Sequence, residues 1–476
     1  MLGLFGTIDM AKRGMDASRQ GIELVGHNLS NVSNPAYSRQ RLRLETSNTL
    51  QSATGPVGTG AQVAGIEQLR SLILDTQITT ERGVMGYLTE KQKSLQFGEI
   101  DLGQQIDRQA ATPEAQTAAL GVGGQFGLAE GLTDFFSAMQ ALSASANSTA
   151  DRQVASLRGQ SLAEKFNSVM ARMNKLQENL NTSVSDQVEE ANNLLRDIAD
   201  LSVSVSASEQ GGFGSANDLR DRRQEKVELL AGLFNVTWSN SSNGKFNLSL
   251  GGVSFIADND LGDTLTTAED GDGNLQVQTE NAATLDITSG TVLGVTDARD
   301  GEIQTIMDNI DTLAETLITK VNDLHSTGYA LDGTTTGANF FSGSDASTIE
   351  MNGDFLLDPN LIQASADGTP GNNEIAKSIA ELGATKHDEL GDLTFSQNYN
   401  QAVATFGQSA ANIGSQLLDQ KAVTKMLESQ RDSIGGVSID EEVTTMLIFQ
   451  RAFQASARMI TTVDEMIQTV LSLGST

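Results

Sequence analysis

Few residues in this chain are of a type and spacing that could do chemistry. There are three histidines, His27, His325 and His387. No two stand at metal-ligand spacing and none sits in a nucleophile motif, so they read as surface or capping residues. There is no cysteine, which excludes disulfides, thiolate metal sites and thiol nucleophiles together. The run Glu269-Asp270-Gly271-Asp272-Gly273-Asn274 has the acid and glycine content of a calcium loop. A helix-flanked loop counted from Asp270 would need Gly and Glu where Leu275 and Asn281 stand, so a solvated β-turn is expected. Gly121-Val122-Gly123-Gly124 precedes a helical block, but no strand leads into it and no lysine follows. A phosphate cradle needs both. Catalytic, metal and cofactor sites are therefore all expected to be absent.

The pattern that does carry information lies at the two ends. Leu4, Ile8, Ala11, Met15, Ser18, Ile22, Val25 and Leu29 recur at steps of four and three. So do Met446, Phe449, Phe453, Ser456, Ile460, Val463, Ile467 and Val470. A sustained repeat of ~3.5 residues gives a helix one narrow apolar stripe that must be buried on another helix. Two such stripes at opposite termini predict a coiled coil that closes the chain on itself, and their apolar members are the candidate assembly interface.

Composition limits the rest. The 476 residues allow about three domains at roughly 100–200 residues each. With 31 Lys plus Arg against 61 Asp plus Glu, the net charge is -30, which disfavours partners that need a basic face, such as nucleic acid or an anionic membrane. No apolar run approaches the roughly 20 residues that span a bilayer, and no basic segment followed by an apolar one marks a cleavable signal. No membrane insertion is expected, and any export would not use such a signal.

Periodicity divides the chain. The first helix should run from Gly3 to Asn31 and stop before Asn34-Pro35. An extended segment through Arg41–Thr46 and a loop at residues 55–60 follow, with helix resuming near Ile66 and continuing in pieces to about Ile106. A helical block starts near Leu128. Residues 151–207 keep one stripe throughout and predict a very long helix with at most one interruption, closed by Gly211-Gly212-Phe213-Gly214. Asn217–Leu233 is a further helix. From Phe234 the period becomes two, with Asn243-Gly244 and Gly251-Gly252 as hairpin turns and Leu285-Asp286-Ile287 continuing the pattern. Residues 251–300 hold ten carboxylates against Arg299 alone. An outward-facing β domain is expected there, one that a short linker could replace. Helix returns at Asp300, a loop-rich stretch follows Gly328, and helices are expected at Ile375–Leu382, from Tyr399 to Gly435-Gly436, and from Ser438 onward.

The fold class is thus mainly α with an inserted β domain. Residues 1–60 and 436–476 form a terminal coiled-coil domain. Residues 61–233, 299–330 and 395–435 form a long helical bundle. Residues 234–298 are the β insert, and 331–394 a loop-rich segment with a short helix packed on the bundle.

The segment from His27 through Asn28-Leu29-Ser30-Asn31 to Asn34-Pro35-Ala36-Tyr37-Ser38-Arg39-Gln40 resembles the N-terminal signature of the bacterial flagellar axial proteins, the rod, hook and hook-associated subunits. Its signature residues here are Asn28, Leu29, Asn31, Pro35, Tyr37, Ser38, Arg39 and Gln40, with Ala36 where the family has glycine. The Tyr-Ser-Arg-Gln ending resembles the hook-associated branch at the hook–filament junction. So do Asn217-Asp218-Leu219-Arg220-Asp221-Arg222-Arg223, the stretch Leu324–Gly333 with Asn339-Phe340-Phe341, and the closing run Phe449-Gln450-Arg451-Ala452-Phe453. The resemblance implies a non-enzymatic structural subunit, exported through the flagellar type III apparatus to the extracellular flagellum. There it would join hook to filament as a ring of copies of itself around a channel. The implied partners are the hook protein, a second hook–filament junction protein and an export chaperone at the C-terminal region. The alternatives are another axial subunit (hook, rod or second junction protein) or a secreted enzyme or adhesin on a helical stalk.

Overall fold

The structure, a computed structural model, describes residues 3–52, 55–102, 127–210, 214–241 and 245–474. The glycine run 121–124, the hairpin turn at Asn243-Gly244, the stop at 211–213 and the helix end near Ile106 lie outside the described residues. The architecture is mainly α-helical with a small antiparallel β region in the middle.

Helix α1 spans Leu4–Ser30, and the Asn31 N–H closes it on the Asn28 and Leu29 carbonyls. Strand β1 (Gln40–Thr46) then pairs antiparallel with β4 (Ala61–Gln68), with a register shift between Arg43 and Leu44. The short β2 (Leu50–Ser52) and β3 (Gly55–Val57) form a hairpin between them. This corrects two expectations. Residues 55–57 are not loop, and Ile66 lies on a strand, so helix begins only at Leu72. The spacing of Ile66, Leu69 and Ile73 imitates a helix, but the backbone partner that decides the conformation is β1, about twenty residues earlier in the chain.

The body is a helical bundle. Helix α2 runs unbroken over Leu72–Asp101 and α3 over Leu128–Ala144. Helix α4 covers Thr149–Glu209, 61 residues without interruption, or ~90 Å at ~1.5 Å per residue. Ser148 caps it by accepting the Asp151 N–H. Every residue of its predicted stripe, from Leu162 and Phe166 to Ile198 and Val205, is buried. Helix α5 occupies Asn217–Leu233. Helix α6 (Thr291–Asp297) passes through a π-turn (Ala298–Ile303) into α7 (Gln304–His325), so helix returns nine residues before the expected Asp300. The loop-rich stretch that follows carries the two-residue strands β11 (Phe341–Ser342) and β12 (Glu350–Met351) and the short helices α8 (Gly353–Leu357) and α9 (Glu374–Leu382). Thr394 and Gln397 form a capping box that starts α10 (Phe395–Gly435). Helix α11 spans Ile439–Gly474, with Asp440, Glu441 and Glu442 in its first turn, where the helix dipole favours them.

The histidines differ from expectation. His325 is fully buried at the end of α7, between the rings of Phe340 and Phe355. Its Nδ1 bonds the Ala338 carbonyl at 2.8 Å, and its Nε2 accepts the Gln363 N–H at 3.0 Å. A neutral ring with Nδ1–H donating satisfies both contacts, so this side chain ties the loop-rich stretch onto the bundle. His387 is buried too, against Phe395. Isolated histidines in a polar chain read as surface residues because their aromatic neighbours come from distant segments.

The β region is a four-stranded antiparallel meander, β5 (Val236–Asn240), β6 (Phe246–Leu250), β7 (Val253–Ala257) and β8 (Asp260–Leu261), beside a hairpin of β9 (Leu265–Glu269) and β10 (Leu275–Thr279). Gly251 and Gly252 turn with φ of 52° and 81°. Leu285–Ile287 is not a strand; Asp286 bonds the Gly251 carbonyl instead, at 3.1 Å. The acidic run 269–274 is the β9–β10 turn, where the Asp270 carboxylate accepts the N–H groups of Asp272 and Asn274. Among the described residues no cluster of acids and histidines could hold a metal.

This region is not a free-standing insert. Phe246, Leu248, Leu250, Phe255 and Ile256 share one core with Val188, Leu195 and Ile198 of α4, Val227 and Leu230 of α5, and Val292 of α6. Four short strands with one apolar face need a cover, and the helices provide it. Excising 235–289 for a Gly/Ser linker would expose that helical face at a cost of several kcal/mol. The truncated protein should bind a hydrophobic dye and melt well below the full chain; an unchanged melting curve would refute the shared core.

Burial pushes the His325 pKa from its ordinary 6.5 down to about 4, against the Ala338 carbonyl, which favours the charged ring; Arg152 adds to the lowering. The unfolded chain takes up this proton first. The stability held by neutral His325 is therefore complete above about pH 6.5 and is lost as the pH falls towards 4, by roughly 3 kcal/mol. Chemical denaturation of the chain and of His325→Gln across pH 4–7 should show wild type losing more stability on acidification. Parallel curves would refute this.

Candidate assembly interface

The two terminal helices pack against each other, antiparallel. Gly14 lies against Ser456, Gly21 against the ring of Phe449, and Asn28 bonds Glu442. Each step of seven along α1 is matched by a step of seven back along α11, which is a heptad seam in fixed register. A Cβ at Gly21 would stand 2.6 Å from the Phe449 ring, so the glycine is the hole for that knob. Gly14 and Gly21, seven residues apart inside the first helix, are the sequence signal for this close approach.

The predicted stripe residues fall into three groups. Ala11, Val25 and Val463 are buried. Ile8, Met15, Ile22, Leu29, Met446, Phe449, Phe453, Ile460 and Ile467 are half-buried. Leu4 and Val470 are exposed, Val470 by 59%. The register explains the last: it brings Leu4 opposite Met466, so the final turns of α11 overrun the start of α1. Outside the predicted stripe positions a further set of apolar residues is open. Phe5, Leu447, Ile448, Met459, Met466, Leu471 and Leu473 are all exposed. The stripes are thus partly covered by each other within the chain, and further exposed apolar side chains lie beside them and beyond the end of α1.

At the end of the seam sits a buried polar hub. Asn28 is 1% exposed. Its Nδ2 donates to the Gln40 carbonyl at 2.9 Å and to Glu442 Oε2 at 3.0 Å. Its Oδ1 accepts from Tyr37 OH at 2.6 Å and from the Gln40 N–H at 3.1 Å. A side-chain amide has two donors and two lone pairs, and all four are used. The Tyr37 hydroxyl, with His27 Nδ1 at 3.0 Å, is held well above its ordinary pKa by burial and by Asp218, Asp221 and Glu442, and so remains a donor.

Three of the signature residues extend the hub to other elements. Arg39 bonds Glu442 at 2.7 Å and Glu441 at 2.6 Å, and its N–H reaches the Gly435 carbonyl. The Ser38 N–H bonds Asp221, and the Gln40 amide bonds Asp218 at 2.8 Å. Asn31 turns back on the His27 carbonyl. Leu29 is half-buried and Pro35 exposed, and neither enters the polar network. Asp221, on α5, also binds Arg70 at 2.8 Å, and Arg70 binds the buried Asp75 of α2. Burial lifts the Asp221 pKa to about 6, outweighing Ser38 and Arg70, which lower it. The hub therefore fastens both chain ends to the body through α2 and α5. Sequence reading found Asn28, Tyr37, Arg39 and Gln40 but not Glu442, Arg70, Asp75 or Glu441 as their partners.

Residues 117–341 match the family model described as flagellar hook-associated protein FlgK helical domain, and residues 428–473 that of the flagellar basal body rod FlgEFG protein C-terminal. Flagellar hook-associated protein 1 of Bacillus subtilis is 24% identical over 530 aligned positions, spanning 99% of both chains. The chain thus carries the FlgK helical domain and is similar to flagellar hook-associated protein 1 along nearly its whole length. The Salmonella typhimurium relative of that name is 21% identical, over 98% of this chain and 99% of its own. The flagellar hook junction protein FlgK from Burkholderia pseudomallei has a similar fold, with a TM-score of 0.62 at 12% identity, over 76% of this chain and 100% of that one.

Asn28→Asp keeps the shape but exchanges two donors for a carboxylate facing Glu442. It should cost at least ~2 kcal/mol of terminal docking. Amide exchange should speed up in α1 and α11 while α4 and α7 stay protected. Uniform loss of protection, or none, would refute the hub's local role.

Proposed function

We propose that this chain is a non-enzymatic structural subunit of the bacterial flagellum that joins hook to filament. The observation that carries the reading is the antiparallel pairing of its two ends, locked by Asn28, in a chain aligned end to end with flagellar hook-associated protein 1 of two bacteria. A subunit that lies between two tubular polymers needs a rigid body and a surface that repeats from copy to copy. Helices α1 and α11 supply that surface through the exposed apolar residues of α11.

The finer reading is a ring of copies at the junction, reached by type III export to the outside of the cell, with the hook protein and a second junction protein as neighbours. An export chaperone would cover the C-terminal region before assembly. Leu471 and Leu473, exposed by 68% and 72%, are the kind of surface such a chaperone would shield. Among the described residues no helix is long and apolar enough to cross a membrane.

Ile448 is 61% exposed and off the seam, so it separates assembly from folding. Ile448→Asp should leave the melting curve of the monomer unchanged. It should abolish self-association in light scattering, because a desolvated unpaired carboxylate costs several kcal/mol. Cells carrying it should release filament subunits into the medium. Normal attached filaments from this variant would defeat the proposal.

A further inference from the structure

Helix α5 carries a buried arginine whose charge has no counterpart. Arg223 is 6% exposed. Its Cζ lies 4.1 Å from the centroid of the Phe246 ring. Its two hydrogen bonds go to neutral groups and are long, from Nη1 to Ser202 Oγ at 3.4 Å and from Nη2 to Asn240 Oδ1 at 3.3 Å. Among the described residues no carboxylate forms an ion pair with it. Burial pushes its pKa down to about 10. Arg220 and Arg70 add to the lowering, against Glu209, which raises it. Arg152 shows the other way to bury a guanidinium, donating to the carbonyls of Ala146, Asn360 and Ile362.

Arg223 lines a cavity of about 280 Å³ between the end of β4 and the starts of α2 and α5, with β5 on the remaining side. A guanidinium has five N–H groups, and Arg223 spends two of them. Its Nε makes no hydrogen bond among the described residues, yet it is not shut off from water. The Nε–H and the unspent N–H beside it form one side of the guanidinium fork. The other charges on the wall are all paired. Arg70 binds Asp75 and Asp221, Arg220 binds Glu209 through two bonds, and Glu67 binds Arg41. One positive charge is therefore left, and Leu72 and Trp238 on the same wall add apolar surface.

A single unmet cation with a planar pair of donors calls for a planar monoanion. We propose that this cavity binds a carboxylate on a short alkyl stem, held by Arg223. A carboxylate matches the fork with two parallel bonds, whereas a phosphate dianion would bring one charge too many. The group comes from a free solute or from an Asp or Glu of a neighbouring copy, and each chain carries 61 such residues. The chemistry is the same in both cases.

Trp238 is the sole tryptophan of the chain and stacks on Phe246, 6.0 Å between ring centroids, so its fluorescence reports on this wall. Propionate is the probe and neutral propionamide its isostere, each titrated into the full chain at constant ionic strength. Propionate should give a saturable change in emission that propionamide does not. Arg223→Gln should weaken propionate binding tenfold or more. Glu209→Gln, which keeps an acceptor for the Ala216 N–H but frees Arg220, should tighten it severalfold. No saturable change with propionate, or the same change with propionamide, would overturn the proposal. So would unchanged binding in folded Arg223→Gln or, should that variant not fold, no tightening in Glu209→Gln. Repeating the titration on assembled polymer identifies the source. Binding retained there assigns the site to a free solute, whereas exclusion of propionate assigns it to a neighbour's carboxylate.

Discussion

One amide group holds this architecture together. Asn28 and Glu442 are 414 positions apart, yet they share a hydrogen bond in a site closed to water. Such a contact is stable only if every polar group around it is satisfied, since an unpaired buried donor or acceptor costs more than a made bond returns. Asn28 meets that condition with four bonds. Among the side chains, an amide of this length is the one that offers two donors and two acceptors at a single buried point. The entropy of bringing the ends together rises only logarithmically with chain length, about 0.6 kcal/mol per doubling, so closing so long a loop is no great obstacle.

From that point the constraint spreads in two directions. Along the seam, Gly21 and Gly14 let α11 approach closely, and Phe449 fills the first gap. Into the body, Ser38, Gln40 and Arg70 reach Asp218, Asp221 and Asp75, so α2 and α5 are held by the same network. The termini are therefore positioned relative to the long helices by charge-assisted bonds at one end and by apolar packing along the pair. Apolar packing tolerates sliding; a buried polar hub does not. That division assigns register to the hub and most of the burial to the seam.

The body follows a different rule. Its 61-residue α4 runs beside both cores, one shared with α3, α7 and α10 and the other with the β strands. A helix of that length gains most of its stability from the faces it buries rather than from its own propensity. The β strands are accordingly a lid on its C-terminal half, not a passenger.

Periodicity alone was enough to read the helices at both ends, the unbroken α4, the helix Asn217–Leu233 and the change to period two after Phe234, because each is a local pattern of burial against polarity. The absence of cysteine and the acidic balance were likewise legible from composition. Strand β4 was not, because its partner and not its own residues decides its conformation. Nor was the burial of His325, which depends on Phe340, Phe355 and Gln363 meeting it in space. The terminal stripes illustrate the boundary best. The sequence marked which residues wanted burial. Only the tertiary structure decided that the two stripes bury each other antiparallel, that Gly14 and Gly21 are the holes in the seam, and that Asn28 spends its amide on Glu442. Hydrophobic spacing specifies that a face must be covered, but direction, register and hydrogen-bond partners are properties of the pair.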